Sequence, residues 1–454
     1  MQAIRTLKIS ISGIRGVVGD SLTPDLLVRF AESFGTYVNG GVVVLATDTR
    51  TSREMVKHAV LAGLASTGCQ IVDIGIAPVP TLQVAVERLH AAGGVCVTAS
   101  HNPAEWNALK FIRGDGIFLS NYQAEEVLDI YHQGSYRRAA SSALSPARTY
   151  NRAPQDHIEA VMRHLDLDLL RQRRLKVVAD CCNGAGSVMT RQFLEALGCD
   201  VVVINDDTHG IFPHNPEPIP ENLVQLSEAV RREGADVGFV QDADADRLAL
   251  CDETGLPIGE EYTVSLATEF VLRHTPGPVA VNVCTTSLVD DIARGHGCPV
   301  IRTKVGEVNV AETMRSRGAV IGGEGSGGVI WSAIHFGRDS YSGMGAILQL
   351  LAESGKTVSE LVAAFPRYTM LKTKIACPSD LANTGMKGVR ALWQSREMDL
   401  QDGLKVLLND GAWFNVRGSR TEPVVRVTSE APSASQAEEL QEQVVRQLRE
   451  VCGL

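Results

Sequence analysis

The amino-acid sequence predicts three similar α/β domains and a C-terminal α+β domain, grouped around a central cleft. A unit of strand, polar turn, helix, glycine and strand occurs three times along the chain. Each copy is followed by a later strand that ends in a loop rich in polar residues or glycine. The length of 454 residues accommodates this division, because single domains usually contain about 100–150 residues.

The three copies of the repeated unit are residues 42–74, 175–204 and 278–301. Glycine suits the end of each helix because it adopts the left-handed conformation without steric cost. Apolar strands that alternate with helices predict mixed sheets with covering helices on both faces. Chance similarity of ordinary strand–helix–strand units is the alternative. The predicted domains are residues 1–150, 151–253, 254–366 and 367–454.

Composition excludes several classes of partner. The net charge is −10 and no basic block occurs, so neither nucleic acid nor an anionic membrane is expected to bind. No apolar run reaches membrane-spanning length, and residues 1–5 contain no apolar leader segment. The ten cysteines form no C-x-x-C pair and most lie in or beside apolar runs. That usage predicts reduced thiols and a cytoplasmic protein.

The first special loop follows an apolar strand and ends at Asn102-Pro103. A strand end can present Ser100 as a nucleophile on a rigid support. Neighbouring side chains on an extended chain point to opposite faces, so no general-base pair between Ser100 and His101 is expected. Lys110 or a metal ion remains as the activating group. An ordinary polar turn is the alternative for this loop.

The second special loop alternates Asp242, Asp244 and Asp246 with alanine between two apolar strands. Carboxylates this close repel one another unless a cation neutralises them, and oxygen ligands suit Mg²⁺. An EF-hand loop is one alternative, because Glu253 lies at the twelfth position, and a solvated acidic turn is the other. Arg247 occupies the position that an EF-hand reserves for glycine, and the flanks are strand-like, so a magnesium site is favoured.

The third and fourth loops offer groups for a sugar and a phosphate. Glu324 and Ser326 stand among glycines that include Gly323, and carboxylate and hydroxyl groups can hydrogen-bond sugar hydroxyls. A second polar cluster of His335, Arg338 and Asp339 follows. In the last domain, cationic and hydroxyl side chains surround one turn and suit a phosphate group; a solvated turn is the alternative. These residues are Arg417, Ser419, Arg420, Thr421 and Arg426.

These loops resemble, in the same order, the motifs of the α-D-phosphohexomutases. The similar segments are residues 98–103 (TASHNP), 242–247 (DADADR), 323–327 (GEGSG) and 417–423 (RGSRTEP). The resemblance extends over essentially the whole chain. It implies a phosphoserine at Ser100, one Mg²⁺ per chain, and a bisphosphorylated sugar intermediate. A sugar bisphosphate primer is also implied as a possible cofactor.

The resemblance assigns roles to individual residues. The implied catalytic residues are Ser100, His101, Lys110, Arg15 and Arg247. The implied metal ligands are Ser100, Asp242, Asp244 and Asp246. The sugar is assigned to Gly323, Glu324, Ser326 and His335, and the non-reacting phosphate to Arg417, Ser419, Arg420, Thr421 and Arg426.

Four positions depart from the usual family pattern: Gly328 replaces a frequent histidine, Arg420 a small residue, Ala108 a glycine and Ser12 an aspartate. Residues 323–330 and 335–339 instead resemble the archaeal-type phosphoglucosamine mutases. The predicted reaction is interconversion of hexosamine or hexose 6-phosphate and 1-phosphate, foremost with glucosamine. Phosphomannomutase/phosphoglucomutase activity, a sugar phosphatase and a silent sugar-phosphate sensor are the alternatives. The predicted partner is the small sugar phosphate, and the chain is expected to be a monomer or homodimer.

Overall fold

The computed structural model describes residues 6–10, 13–419 and 424–453. Its first sheet has seven strands in the order β1-β2-β6-β5-β3-β4-β7. These strands are β1 (Lys8–Ser10), β2 (Gly13–Val17), β3 (Val42–Thr47), β4 (Gln70–Ile76), β5 (Gly93–Val97), β6 (Trp106–Arg113) and β7 (Arg148–Thr149).

The second and third sheets have four strands each. The second runs in the order β11-β10-β8-β9 and the third in the order β13-β12-β14-β15. The strands of the second sheet are β8 (Lys176–Asp180), β9 (Asp200–Ile204), β10 (Val237–Gln241) and β11 (Leu248–Cys251). Those of the third are β12 (Val279–Asn282), β13 (Val300–Thr303), β14 (Ile321–Glu324) and β15 (Gly328–Trp331).

The same pairing pattern occurs in all three sheets. A first strand (β3, β8 or β12) pairs in parallel with the next strand of its unit and, on its other side, with a later strand. That later strand (β5, β10 or β14) forms an antiparallel pair with the strand after it. The repeat predicted from the sequence is therefore confirmed, and each special loop lies within the equivalent hairpin.

Helices cover these sheets. In the first two regions they are α1 (Pro24–Tyr37), α2 (Arg53–Ser66), α3 (Val79–Arg88), α4 (Asn121–Gln133), α5 (Ala153–Met162), α6 (Leu167–Arg173), α7 (Thr190–Ala196) and α8 (Val224–Glu233). Further along are α9 (Glu261–His274), α10 (Leu288–Gly295), α11 (Glu307–Arg317), α12 (Ser340–Ser354) and α13 (Val358–Ala363). Gly68, Gly198 and Gly297 follow the repeated helices with φ of 85°, 86° and 68°, which confirms their predicted left-handed role.

The third sheet lies between two apolar cores. Val279 and Val281 of β12 pack into a core shared with the second sheet, whereas Ala280 packs into a core shared with the first. This alternation follows from the two-residue period of a strand. One sheet therefore contacts both of the others, which brings the three hairpin loops together around a common cleft.

The C-terminal region is an antiparallel sheet in the order β16-β20-β19-β18-β17. Its elements are β16 (Thr369–Ala376), α14 (Ser379–Leu392), β17 (Glu397–Asp399), β18 (Leu404–Leu407), β19 (Trp413–Gly418), β20 (Val424–Ala431) and α15 (Ala434–Cys452). The sequence indicated the last three strands and α15 but not the other elements. The fold class, three α/β units and an α+β unit, is confirmed.

The C-terminal sheet contacts the third α/β unit. Lys405 donates to the carbonyl of Val283 at 2.7 Å, and the indole nitrogen of Trp413 donates to the hydroxyl of Ser287 at 3.0 Å. All ten cysteines are free thiols. No helix among the described residues is both long and apolar enough to cross a bilayer.

Candidate active site

Ser100 lies on a tightly braced loop after β5. Its backbone has a φ of 51°, in the left-handed region that ordinary side chains rarely adopt. The guanidinium of Arg50 holds this conformation by donating to the carbonyls of Ser100, Asn102 and Pro103 at 2.6, 2.7 and 2.6 Å. Arg50 is fully buried and is also paired with Asp48 at 3.0 Å. The loop is therefore rigid and presents one serine hydroxyl to the cleft.

The expectation that Ser100 and His101 point apart is wrong. The Ser100 Oγ lies 3.3 Å from His101 Nδ1, because the left-handed backbone at Ser100 replaces the extended one assumed from the sequence. Arg247, then burial, then Arg15 hold the pKa of His101 well below its usual value. The imidazole is therefore neutral. Of the two described side chains that contact the Ser100 hydroxyl, His101 and Asp242, it is the one that offers a nitrogen base.

Asp242, Asp244 and Asp246 lie directly beyond β10 and face the Ser100 loop. All three are fully buried, and one carboxylate oxygen from each lies within 4.8 Å of the others. The Ser100 hydroxyl donates to Asp242 Oδ2 at 2.6 Å. Between the aspartates, Ala245 turns the chain with a φ of 55°. The structure thus brings together the serine and the three carboxylates that the sequence predicted.

Two oxygens of this cluster fit a cation. Asp244 Oδ1 and Asp246 Oδ1 are buried and accept no hydrogen bond from the described residues. Buried polar atoms are rarely left in that condition, and hard oxygen donors match the preference of Mg²⁺. The donor set therefore fits a divalent metal ion bound by the three aspartates.

Lys110 and burial determine the charge state of the cluster. Its Nζ lies 2.7 Å from Asp244 Oδ2 and 3.4 Å from Asp246 Oδ2. Burial would lower the pKa of Lys110, but these two carboxylates raise it above its usual value. Burial raises the pKa of Asp242 well above its usual range, and both other aspartates add to that rise. Lys110 is therefore protonated and positively charged. A bound cation would add positive charge and favour the ionised form of Asp242.

Arg15 and Arg247 approach the same loop from two sides. Arg15 donates to the side chain of Asn102 at 2.6 Å. The backbone N–H of Arg247 donates to Asp242 Oδ1 at 3.2 Å, and its guanidinium lies 3.9 Å from Asp246 Oδ1. Arg15 therefore places positive charge beside the Ser100 loop, and Arg247 places it beside the aspartate loop that Ser100 contacts.

The glycine-rich loop of the third sheet abuts the aspartate loop. The N–H of Leu248 donates to the carbonyl of Gly327 at 2.9 Å. Gly323 has a φ of 153°, and a Cβ there would lie 2.1 Å from a backbone oxygen. Glu324 accepts from Asn282 and from the backbone of Gly306 at 2.9 and 2.8 Å. Ser326, in the turn between β14 and β15, is partly buried.

Arg338 was not among the predicted site residues, yet it connects these loops. Its guanidinium donates to Asp246 at 2.7 Å, to Glu307 at 3.0 Å and to Glu324 at 2.9 Å. The sequence signal was the polar cluster after the third loop. The acidic partners of Arg338 could not be predicted from the sequence, because they lie in other segments of the chain. Arg50 and Asp48 were similarly overlooked as supports of the Ser100 loop.

His335 makes its contacts in a different cluster. Its Nδ1 accepts from the N–H of Gly337 at 3.1 Å, which leaves its Nε2 for other partners. That Nε2 lies 3.5 Å from Asp339 Oδ2, which also lies 3.1 Å from His157. No bond joins His335 to Glu324 among the described residues. The carboxylate of Asp339 in turn caps helix α12 by accepting from the N–H of Tyr341.

Part of the predicted phosphate loop is described. Arg417 and Arg426 stand opposite each other on β19 and β20, and the N–H of Ser419 bonds the carbonyl of Val424 at 2.9 Å. Two arginines directly opposite each other concentrate positive charge beside this turn, which suits a bound anion. Arg420, Thr421 and Ser12 lie outside the described residues.

A buried serine beside a buried acidic cluster, with a cationic loop in another domain, is an arrangement suited to phosphoryl transfer. Family models for the phosphoglucomutase/phosphomannomutase α/β/α domains I, II and III match residues 7–138, 155–255 and 259–368. The C-terminal domain model matches residues 373–447. The chain belongs to the phosphoglucomutase/phosphomannomutase family of α-D-phosphohexomutases.

Relatives cover nearly the whole chain. A phosphoglucomutase/phosphomannomutase from Thermococcus kodakarensis is 38% identical over 96% of this chain and 97% of its own. A probable phosphoglucosamine mutase from Methanopyrus kandleri is also 38% identical, over 96% of each chain. A family protein from Burkholderia thailandensis has a similar structure, with a TM-score of 0.86, 27% identity and coverage of 99% and 98%. The predicted family and enzyme class are confirmed.

Proposed function

We propose that this protein interconverts the 6-phosphate and 1-phosphate of a hexosamine or hexose through a phosphoserine at Ser100. The observation that carries the proposal is the 2.6 Å contact of the Ser100 hydroxyl with Asp242 inside a buried three-aspartate cluster. The strained, braced backbone supports it, since phosphoryl transfer depends chiefly on positioning and electrostatics. A small sugar phosphate is the partner that this site suits.

In the forward half-reaction the bond between phosphorus and Ser100 Oγ breaks, and a bond to a sugar hydroxyl oxygen forms. The sugar hydroxyl gives up its proton as the new bond forms, and the departing Ser100 Oγ takes up one proton. His101, whose Nδ1 lies 3.3 Å from the serine oxygen, can carry a proton between the two oxygens. Lys110, Arg15 and Arg247 stabilise negative charge. The bisphosphorylated sugar then turns, and Ser100 takes the phosphoryl group from the other position.

Asp242, Asp244, Asp246 and the Ser100 oxygen would hold one Mg²⁺, which supplies positive charge against the transferring phosphoryl group. The unbonded oxygens of Asp244 and Asp246 support this assignment. Glu324, Ser326 and Gly323 would contact the sugar, and Arg417, Ser419 and Arg426 the phosphate that does not react. A sugar bisphosphate would restore the phosphoserine when it is lost.

Substitution of Arg426 by alanine is expected to raise KM about 10–100-fold with a smaller fall in kcat. A charge-assisted hydrogen bond contributes about 1.5–3 kcal/mol, and binding of the non-reacting phosphate is common to ground and transition states. Steady-state kinetics of Arg426→Ala provide the measurement. Arg446→Ala, on the exposed face of α15, is the matched control. An unchanged KM would show that this loop does not bind the phosphate.

For the substrate, we propose glucosamine phosphate ahead of mannose or glucose phosphate. The relative from Methanopyrus kandleri and the motif around Gly328 and His335 support this choice. The carboxylate of Glu324 can accept a charge-assisted hydrogen bond from an ammonium group, which is stronger than one from a hydroxyl. The Thermococcus kodakarensis relative supports phosphoglucomutase/phosphomannomutase activity as the second candidate.

The substrate proposal predicts a kcat/KM for glucosamine 6-phosphate at least about tenfold above those for mannose and glucose 6-phosphates, a difference of ~1.4 kcal/mol. The assay follows the 1-phosphate product and free inorganic phosphate together. Glu324→Gln is expected to reduce the preference because it removes the negative charge. Higher kcat/KM with mannose phosphate would favour the second candidate, and phosphate release without isomer formation would indicate a phosphatase.

A further inference from the structure

Arg338 joins carboxylates from two domains within the cleft. Only 8% of the residue is exposed, and each of its three guanidinium nitrogens donates to a different acid. Asp246 belongs to the aspartate loop of the second sheet, Glu307 begins α11, and Glu324 ends β14. The backbone N–H of Arg338 also donates to Glu307 at 3.1 Å. One side chain therefore connects the proposed metal site with the proposed sugar site.

The hydrogen bonds of Arg338 determine which carboxylate oxygens of Asp246 and Glu324 remain available to a ligand. It occupies Asp246 Oδ2, and the other oxygen of that carboxylate is the one without a hydrogen bond. It also occupies Glu324 Oε2, while Asn282 and Gly306 donate to Glu324 Oε1. The planar fork of a guanidinium fixes orientation in a way that a lysine ammonium does not.

Gly328 makes the path of Arg338 possible. A Cβ at position 328 would lie 2.2 Å from Arg338 Cδ and 2.9 Å from its Cγ. Any side chain at this position would collide with the stem of the arginine, so the two residues form a matched pair. Gly328, which departs from the family pattern, thus leaves the space that the side chain of Arg338 occupies.

We propose that Arg338 is a positioning residue that couples the metal site to the sugar loop, through the opening left by Gly328. The role in the sugar reaction rests on the proposed function, whereas the role in metal binding does not. By fixing Asp246 Oδ2, Arg338 directs the other oxygen of that carboxylate toward the ion. By fixing Glu324, it holds the sugar loop in the geometry that receives the substrate.

The first test compares Arg338→Ala and Arg338→Lys with the wild-type protein. Loss of an outer partner of a metal ligand commonly weakens metal affinity about 10–100-fold. We expect Arg338→Ala to bind Mn²⁺ about 10–100-fold more weakly, as measured by calorimetric titration without sugar. We also expect its KM for the sugar phosphate to be raised. Arg338→Lys keeps the charge without the fork and should recover only part of both. Arg113→Met is the control, because Arg113 also bridges two domains, through Glu312, but touches none of these carboxylates.

The second test uses Gly328→Ala, which displaces the arginine without removing it. Its effects on Mn²⁺ affinity and KM should approach those of Arg338→Ala. In the double variant the collision is absent, so the two effects should not add. Gly295→Ala, at a position with open space around the Cβ, is the control.

The two tests can overturn the proposal in separate ways. Unchanged Mn²⁺ affinity and KM in Arg338→Lys and Gly328→Ala, with only a lower melting temperature, would reduce Arg338 to a structural ion pair. Additive effects in the double variant would also contradict the pairing. If the wild-type protein fails to isomerise any hexose phosphate, the proposed function fails, while Mn²⁺ titration still tests the position of Asp246.

Discussion

Ser100→Ala is expected to lower mutase turnover by about 10³-fold or more while binding of the sugar phosphate changes little. The serine supplies the only oxygen that would carry the phosphoryl group, and loss of a covalent nucleophile has effects of this size or larger. The sugar and phosphate loops lie on other segments of the chain, so ground-state binding should persist. A coupled mutase assay and calorimetric titration with hexose 6-phosphate measure the two quantities.

The same preparations test whether Ser100 carries phosphate. Intact mass and peptide mapping of the wild-type protein should show a fraction with one phosphoryl group on this residue, and Ser100→Ala should show none. Ser332→Ala is the control, since Ser332 bonds the carbonyl of Val320 outside the cleft. Near wild-type turnover in Ser100→Ala would remove the residue from the mechanism.

Removal of divalent metal is expected to abolish turnover, and Mg²⁺ should restore it. Three fully buried carboxylates face one another with two oxygens lacking hydrogen bonds, so a cation relieves both repulsion and desolvation. The phosphoryl group already on Ser100 should remain through chelation, because the ion is not part of the phosphorus–oxygen bond. Activity and intact mass before and after chelation provide the measurements.

Metal binding should also stabilise the folded chain. At a concentration of one hundred times Kd, a ligand adds about 2.7 kcal/mol to the free energy of unfolding, which a melting curve detects. Asp244→Asn should lose most of that Mg²⁺-dependent rise, whereas Asp168→Asn, exposed on α6, should keep it. Full activity after exhaustive chelation would argue that the aspartate cluster serves folding alone.

Much of the architecture was accessible from sequence because the repeated units are local. A strand, a helix and a terminal glycine within about 30 residues produce a recognisable period, and all three units form the expected parallel pairs. The strands β16 and β17 escaped recognition for the opposite reason. In the first, the polar run Lys372-Thr373-Lys374 interrupts the apolar residues so that no regular alternation is visible, and the second has only three residues.

The site residues were foreseeable where a motif is contiguous, as in Asp242, Asp244 and Asp246. The conformation of Ser100 was not, since it depends on carbonyls held by Arg50 from a segment about fifty positions earlier. Arg338 escaped for a similar reason, because its partners come from separate segments and its path depends on a side chain that Gly328 lacks. Contacts of this kind have no periodic signature in the chain.

The long reach of Arg338 has a consequence for the newly synthesised protein. Asp246 precedes Arg338 by 92 positions, so a ribosome adding about 5–20 residues per second makes the acid some 5–20 s before its partner. Lys110, made earlier, is available to the aspartate loop throughout that interval. Arg338 therefore reaches the aspartate loop only after most of the third domain has been translated, and until then Lys110 and Arg247 are the cations that lie beside Asp246.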